Sequence, residues 1–142
     1  MVKVDPDTGG VTVERYVIGY DIGRAINPVL VKGQIAGGFA QGLGGALMEE
    51  FTYNEQGDPL AVTFADYLMP TVREMPKLEI ILTEDYPSPL NPLGIKGAGE
   101  SGVNAVGAAI ASAIDDAIGI PGAVTLLPVT PQRLKAIIDG RR

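Results

Sequence analysis

The sequence predicts an α+β fold in which mixed strands accompany two longer helices and a short C-terminal helix. Runs of β-branched residues near the start of the chain are typical of strands. Stretches in the middle and towards the end instead repeat apolar residues every three or four positions, as amphipathic helices do. The predicted strands and helices do not alternate in regular βαβ units, so a doubly wound parallel sheet is not expected.

The first predicted element is a β-hairpin. Turn residues at 5–10 (DPDTGG) separate a short run, VKV, from a longer one, VTVERYVIGYDIG. Because the first run has only about three residues, we expect this hairpin to belong to a larger sheet. Asp21 and Arg24, near the end of the longer run, are expected to form a local ion pair. Two later strands are predicted, LAVTFADYL at 60–68 and KLEIILTED at 77–85.

The first long helix is predicted to begin at Pro28, with Asn27 as its N-cap, and to run to about Glu50. An apolar stripe with a four-residue repeat supports it, formed by Ile35, Phe39, Leu43 and Leu47. Six glycines also lie inside it, at 33, 37, 38, 42, 44 and 45. Since each interior glycine costs roughly 0.5–1 kcal/mol relative to alanine, another backbone or a ligand is expected to approach closely.

Two further helices are predicted after a loop rich in proline and then glycine. Residues 103–118 form an amphipathic helix that Gly119 ends. Thr130 caps a last helix that begins at Pro131 and stops at Gly140. Its inward side chains are predicted to be Leu134, Ile137 and Ile138.

The composition excludes several classes of chemistry. The 142 residues include no Cys, no His and no Trp, so a disulfide, a Cys or His zinc site, a thiolate nucleophile and a histidine base are all excluded. A net charge of −6 argues against nucleic acid or an anionic membrane surface as a partner. We expect a cytoplasmic chain, because Cys is absent and neither a signal peptide nor a membrane span is visible.

The loop KGAGESG at 96–102 is the most informative segment for chemistry. Its glycines satisfy G-x-G-x-x-G, but the preceding residues are rich in proline and the following acids lie in a predicted helix, so we reject a dinucleotide fingerprint. Glu100 places a carboxylate among small residues just before a helix, where backbone N–H groups can face a ligand. Such a carboxylate suits a general base, but it can equally cap the following helix.

The other carboxylates and Tyr67 are interpreted as structural. Adjacent residues point in different directions, so three carboxylate pairs are expected on solvated faces or at caps. These pairs are Glu49 with Glu50, Glu84 with Asp85, and Asp115 with Asp116. The hydroxyl of Tyr67 is expected to be hydrogen-bonded while its ring packs.

Five ordered motifs resemble the molybdenum hydroxylases, the family of the xanthine dehydrogenase, aldehyde oxidase and carbon monoxide dehydrogenase large subunits. The motifs are DIGRAINP (21–28), GQIAGGFAQGLGGALMEE (33–50), DYLMPT (66–71), PLGIKGAGESG (92–102) and LPVTPQRL (127–134). This resemblance covers nearly the whole chain. It implies that residues 1–142 are the C-terminal portion of a larger molybdopterin-binding domain.

The resemblance also implies roles for individual residues. Glu100 matches the family's base, which deprotonates a molybdenum-bound hydroxyl, and Gln34 matches a glutamine that hydrogen-bonds the molybdopterin. The other cofactor-binding positions implied are Gly33, Gly97, Ala98, Gly99 and Ser101. No side chain of this chain is expected to ligate the metal. Lys96 is expected to help place the loop.

Cofactors and partners are implied in the same way. The resemblance implies a molybdenum–molybdopterin cofactor, in its cytosine dinucleotide form, shared with the N-terminal part of the molybdenum subunit. It implies iron–sulfur clusters and FAD on partner subunits, and an oligomer. The implied reaction hydroxylates an aldehyde, an N-heterocycle or a similar small molecule with water, and the chain alone is expected to be inactive.

A non-catalytic piece is the alternative hypothesis. In that case the chain is an isolated or assembly fragment with no activity or cofactor of its own. The presence of both Glu100 and Gln34 favours the catalytic hypothesis, because drift tends to spoil such motifs. Copurification of molybdenum and partner polypeptides discriminates between the two.

Overall fold

A computed structural model describes residues 1–140 as an α+β arrangement, as predicted. Over that range there are three helices and two sheets of two strands each. In chain order the elements are β1 (Val2–Val4), β2 (Val11–Val13), β3 (Arg15–Asp21), α1 (Pro28–Leu47), β4 (Lys77–Thr83), α2 (Val106–Ile118) and α3 (Pro131–Ile138). None of the helices described is long and apolar enough to cross a membrane.

The predicted hairpin is present, but its second run is divided into two strands. β1 and β2 pair antiparallel, with Val2 opposite Val13. At Glu14 the chain leaves this hairpin, and β3 pairs in parallel with β4 from Arg15 opposite Lys77 to Asp21 opposite Thr83. The division arises because the later residues of the run pair with a strand more than 60 positions away, which local sequence does not reveal.

The strand predicted at 60–68 is wrong. This segment forms turns, in which Thr63 accepts a hydrogen bond from Ala65 N and donates one to Asp66 Oδ2. Only an isolated bridge between Tyr53 and Pro59 precedes it. Side-chain hydrogen bonds to nearby residues compete with strand pairing, and they prevail here. The strand predicted at 77–85 is confirmed as β4, which ends at Thr83.

Helix α1 begins where the sequence predicts, because the Asn27 side chain accepts a hydrogen bond from Leu30 N at 3.1 Å. It ends at Leu47, before the predicted Glu50, since Met48 N and Glu49 N both donate to Gly44 O. The four residues of the predicted apolar stripe are all buried.

Helix α2 begins at Val106 and not at residue 103, because turns occupy residues 101–105. Gly119 ends it with φ of 70°, a left-handed conformation that favours glycine. Thr130 caps α3 by accepting from Arg133 N, and Leu134 is fully buried while Ile137 and Ile138 are partly buried.

Close packing against backbone and side-chain atoms explains some of the glycines in α1. A Cβ on Gly38 would lie 3.1 Å from Gly102 Cα, and a Cβ on Gly42 would lie 2.7 Å from Val106 Cβ. On the other side, a Cβ on Gly102 would collide with the carbonyl oxygen of Ile35. Glycine at these positions therefore lets α1 approach the start of α2.

The paired carboxylates at 49 and 50 serve two structural contacts, where the sequence predicted solvated faces or caps. Glu49 accepts a hydrogen bond from the Tyr67 hydroxyl at 3.1 Å, and that bond raises the pKa of the tyrosine. Glu50 pairs with Arg133 of α3 at 2.6 Å. The two neighbours thus bind different elements and do not form an acid–base dyad.

Candidate functional site

The site is built on the loop of residues 94–102, which lies beside the end of β3. Lys96 N donates to Ile22 O at 3.0 Å, and Lys96 Nζ pairs with Asp21 Oδ1 at the same distance. Lys96 therefore helps place the loop, as predicted. The expected ion pair between Asp21 and Arg24 is therefore wrong. The cation that pairs with Asp21 is Lys96, which is 75 residues away in sequence.

Asp21 ties the end of β3 to two other segments as well. Its carboxylate accepts hydrogen bonds from Gly23 N at 2.8 Å and from Tyr86 N at 3.0 Å. Burial alone would raise the pKa of Asp21, but the bonds from Gly23, Lys96 and Tyr86 outweigh it and hold the pKa below its ordinary value. The carboxylate is therefore ionised at neutral pH and fixes the base of the loop.

A further anchor, which the sequence did not reveal, is the hydroxyl of Tyr20. It donates to the carbonyl oxygen of Gly97 at 2.5 Å, across 77 positions of sequence. Tyr20 stands immediately before Asp21 on β3, so consecutive side chains of one strand bind consecutive residues of the loop. The fold brings these residues together, because β3 pairs with β4 and the later loop hydrogen-bonds to Ile22 at the end of β3.

Gln34 and Gly99 connect the two glycine-rich segments that the sequence singles out. Gln34 Nε2 lies 3.4 Å from Gly99 O, which is long for an N–H···O hydrogen bond. The contact shows that the two residues are neighbours, but the hydrogen bond itself is weak. Both residues are exposed. The start of α1 and the loop therefore form one surface, as the two predicted cofactor segments require.

Glu100 presents a carboxylate that makes no hydrogen bond or ion pair within residues 1–140. Its backbone oxygen accepts from Val103 N and Asn104 N, at 3.1 and 3.3 Å, and the residue is exposed. Helix α2 starts only at Val106 and has no side-chain cap, so Glu100 does not cap it. Nearby, Ser101 Oγ donates to Ala98 O at 2.8 Å, which closes the turn.

The backbone of this loop offers donors with no acceptor in the described part of the chain. The N–H groups of residues 97–102 make no hydrogen bond there, whereas those of Lys96 and Val103 on either side are satisfied. Consecutive free N–H groups before a helix are suited to anionic oxygen or sulfur atoms of a ligand. No cluster of three or more acidic side chains in residues 1–140 is placed to hold a metal ion directly.

Four glycines of the same two segments have no structural reason within residues 1–140. A Cβ on Gly33, Gly37, Gly97 or Gly99 would meet nothing within 4 Å, and none of the four has a left-handed backbone. Neither packing nor conformation within the described residues therefore requires glycine at these positions. Open space and free donors together fit a large anionic cofactor lying against the backbone.

Comparisons with known proteins identify a family model and several similar proteins. A family model described as the molybdopterin cofactor-binding domain matches residues 1–76. The gamma subunit of the 6-hydroxypseudooxynicotine dehydrogenase complex from Paenarthrobacter nicotinovorans is 51% identical over 98% of this chain. The carbon monoxide dehydrogenase large chain from Afipia carboxidovorans is 40% identical over 71% of this chain.

A solved structure shows a similar fold. Quinoline 2-oxidoreductase from Pseudomonas putida 86 superposes with a TM-score of 0.92 over 99% of this chain, at 38% identity. The chain spans 18% of that protein and 18% of the Paenarthrobacter subunit, and 12% of the Afipia large chain. The sequence therefore corresponds to a small part of each of these relatives.

Proposed function

The chain belongs to the molybdopterin-binding subunits of the molybdenum hydroxylase family, and we propose that it forms one side of a molybdenum cofactor site with Glu100 as general base. The observation that carries this proposal is the unpaired carboxylate of Glu100 within a run of free backbone N–H groups. Gln34 lies against the same loop.

The residues proposed to hold the cofactor are those that border the open surface. The amide of Gln34 and the N–H groups of the loop supply donors, while Gly33, Gly97 and Gly99 leave room for the group. Ala98 and Ser101 are also proposed to border the cofactor, and the hydrogen bond from Ser101 Oγ to Ala98 O closes the turn between them. The molybdenum cofactor, proposed in its cytosine dinucleotide form, supplies the activated water-derived oxygen and accepts the electrons of the substrate.

Glu100 is proposed to accept the proton of that oxygen at its carboxylate. The chain has no histidine and no cysteine that could act as the base instead. The glycines on its N-terminal side carry no side chain that would shield it. Lys96, the nearest cation in sequence, is paired with Asp21 and does not neutralise Glu100.

The remainder of the active enzyme is proposed to come from outside this chain. Large apolar side chains within residues 51–72 are exposed. Phe64 is 80% exposed and Val72 is 87% exposed. Such exposure is typical of an interface, and the small share of each relative that the chain spans favours the rest of the molybdenum subunit as its occupant, which we propose to be the N-terminal part. The iron–sulfur and flavin groups that would take up the electrons are proposed to lie on partner subunits, and the chain alone is proposed to be inactive.

The proposed substrate is a small N-heteroaromatic molecule. Aldehydes and other small molecules are the alternatives within the same reaction class. The names of two relatives favour the heteroaromatic ring, because one acts on quinoline and one on 6-hydroxypseudooxynicotine.

Steady-state turnover of the assembled enzyme with Glu100→Gln tests the proposed base. Loss of a general base typically costs 10²–10⁴-fold, so we expect turnover to fall at least about a hundredfold. The molybdenum content should stay at the wild-type level, because the substitution preserves shape and leaves the loop intact. Turnover within about threefold of wild type would contradict the assignment.

A further inference from the structure

The loop that carries Glu100 has a sequence that allows many backbone conformations. Gly97, Gly99 and Gly102 make up three of its seven residues from 96 to 102. Glycine loses more conformational freedom on folding than any other residue, so such a loop does not hold one shape by itself. A general base, by contrast, has to be held within about 0.5 Å of its productive position. Hydrogen bonds within the turn, from Ser101 Oγ to Ala98 O and from Val103 N to Glu100 O, supply part of that order, and contacts from outside the loop have to supply the rest.

Tyr20 provides such a contact near the start of the glycine-rich segment, at Gly97. Its hydroxyl donates to Gly97 O at 2.5 Å, three residues before Glu100. The tyrosine is partly buried against the hydrophobic core, and its backbone is fixed in β3 opposite Leu82. The hydroxyl thus anchors a carbonyl of the loop to a side chain whose backbone is fixed in the sheet.

The neighbouring contacts hold the loop on either side of that carbonyl. Lys96 is tied to β3 twice, through Ile22 O and Asp21 Oδ1, and Gln34 lies against Gly99. Of these contacts, that of Tyr20 is the shortest and the one that acts on Gly97 itself. Its removal leaves Lys96 and Gly99 in contact with the rest of the chain but releases the carbonyl of Gly97 between them.

We propose that Tyr20 is a positioning residue, whose hydroxyl holds Gly97 and thereby places the carboxylate of Glu100 for proton transfer. This inference rests on the proposed function of Glu100. Tyr20 itself touches neither substrate nor cofactor in this proposal. It acts through the loop, so its loss should reduce kcat while substrate binding stays unchanged.

Tyr16 offers a matched control on the same strand. It lies four residues earlier on the same face of β3, packs its ring on Phe39 with centroids 4.6 Å apart, and donates no hydrogen bond within residues 1–140. Tyr16→Phe therefore removes a hydroxyl from this sheet without releasing the loop. Tyr20→Phe removes the tether and retains the ring.

The experiment compares Tyr20→Phe and Tyr16→Phe in the assembled, cofactor-loaded enzyme. Amide hydrogen exchange of residues 97–102 is measured together with kcat, KM and molybdenum content. For Tyr20→Phe we expect exchange in the loop to rise about fivefold or more, and kcat to fall about tenfold or more with KM within twofold. Tyr16→Phe should change neither quantity.

The two readouts separate failure of this inference from failure of the proposed function. Equal exchange and equal kcat in the two tyrosine variants would overturn the role of Tyr20, as would faster exchange with unchanged kcat. An active Glu100→Gln enzyme would refute the proposed base, and with it the positioning role. Hydrogen exchange would still report whether Tyr20 holds the loop, because it does not depend on turnover.

Discussion

Gln34 Nε2 lies 3.4 Å from the carbonyl oxygen of Gly99, although 65 positions of sequence separate the two residues. This contact joins the start of the glycine-rich helix α1 to the glycine-rich loop before α2. The contact places the two segments side by side, whereas the sequence connects them only through a resemblance to a family.

The glycines of α1 and its neighbouring loop should respond to alanine in opposite ways. Gly102→Ala places a Cβ against Ile35 O, so we expect it to destabilise the chain by about 1–3 kcal/mol. Gly45→Ala meets no atom within 4 Å and should stabilise the helix by about 0.5–1 kcal/mol. Chemical unfolding of the chain and the two variants measures both, and equal effects would contradict the close approach.

The open glycines of the loop should matter for the cofactor and not for stability. Gly97→Val adds a branched side chain where the described residues leave space, so its effect on the free energy of unfolding should be within about 1 kcal/mol. Molybdenum and pterin content of the assembled enzyme should fall severalfold, since the added side chain occupies the proposed cofactor surface. Gly45→Ala serves as the control with normal content, and full cofactor loading of Gly97→Val would refute the assignment.

Asp21 should make the stability of the chain depend on acid pH. Its pKa is lowered in the folded state, so the folded chain binds fewer protons than the unfolded chain in this range. The stabilisation is therefore complete above the ordinary value of 3.8 and is lost as the pH falls through the lowered pKa. Asp21→Asn should be less stable at neutral pH and should lose less on acidification. Unfolding free energies measured from pH 7 downwards test this, and parallel curves would contradict it.

The apolar segment at 51–72 should determine association with the rest of the molybdenum subunit. Phe64→Ser removes a large side chain that is 80% exposed, so the fold of the chain should be unaffected. We expect its affinity for the separately produced N-terminal part to fall about tenfold or more, as for the loss of an aromatic anchor. Calorimetric titration measures this, and unchanged affinity would remove the segment from the interface.

Local patterns predicted most helices and strands, while long-range contacts decided the rest. The caps at Asn27 and Thr130 and the stop at Gly119 were predicted correctly, because capping depends on a few neighbouring residues. The strand predicted at 60–68 failed because its β-branched and aromatic residues pair with no strand in the described part of the chain. The division of the second run at Glu14 depends on β4, which is distant in sequence.

The same distinction applies to the site. Residue type and motif singled out Glu100 and Gln34, and the structure brings their segments together. Tyr20 was missed, because a tyrosine within an apolar run has the pattern of an ordinary core residue. The partner of Asp21 was assigned wrongly, since Arg24 is near in sequence whereas Lys96 is near only in the fold.

We propose that the Glu100 carboxylate accepts the proton in the chemical step. The measurement that tests this is the anaerobic single-turnover rate at which substrate reduces the assembled enzyme, compared for wild type, Glu100→Gln and the matched control Glu14→Gln. Glu14 is likewise exposed, its side chain makes no hydrogen bond within residues 1–140, and it lies outside the apolar segment at 51–72. We expect reduction by Glu100→Gln to be at least about a hundredfold slower at equal molybdenum content, with Glu14→Gln unchanged. Equal rates in all three enzymes would contradict the assignment of Glu100 as the base.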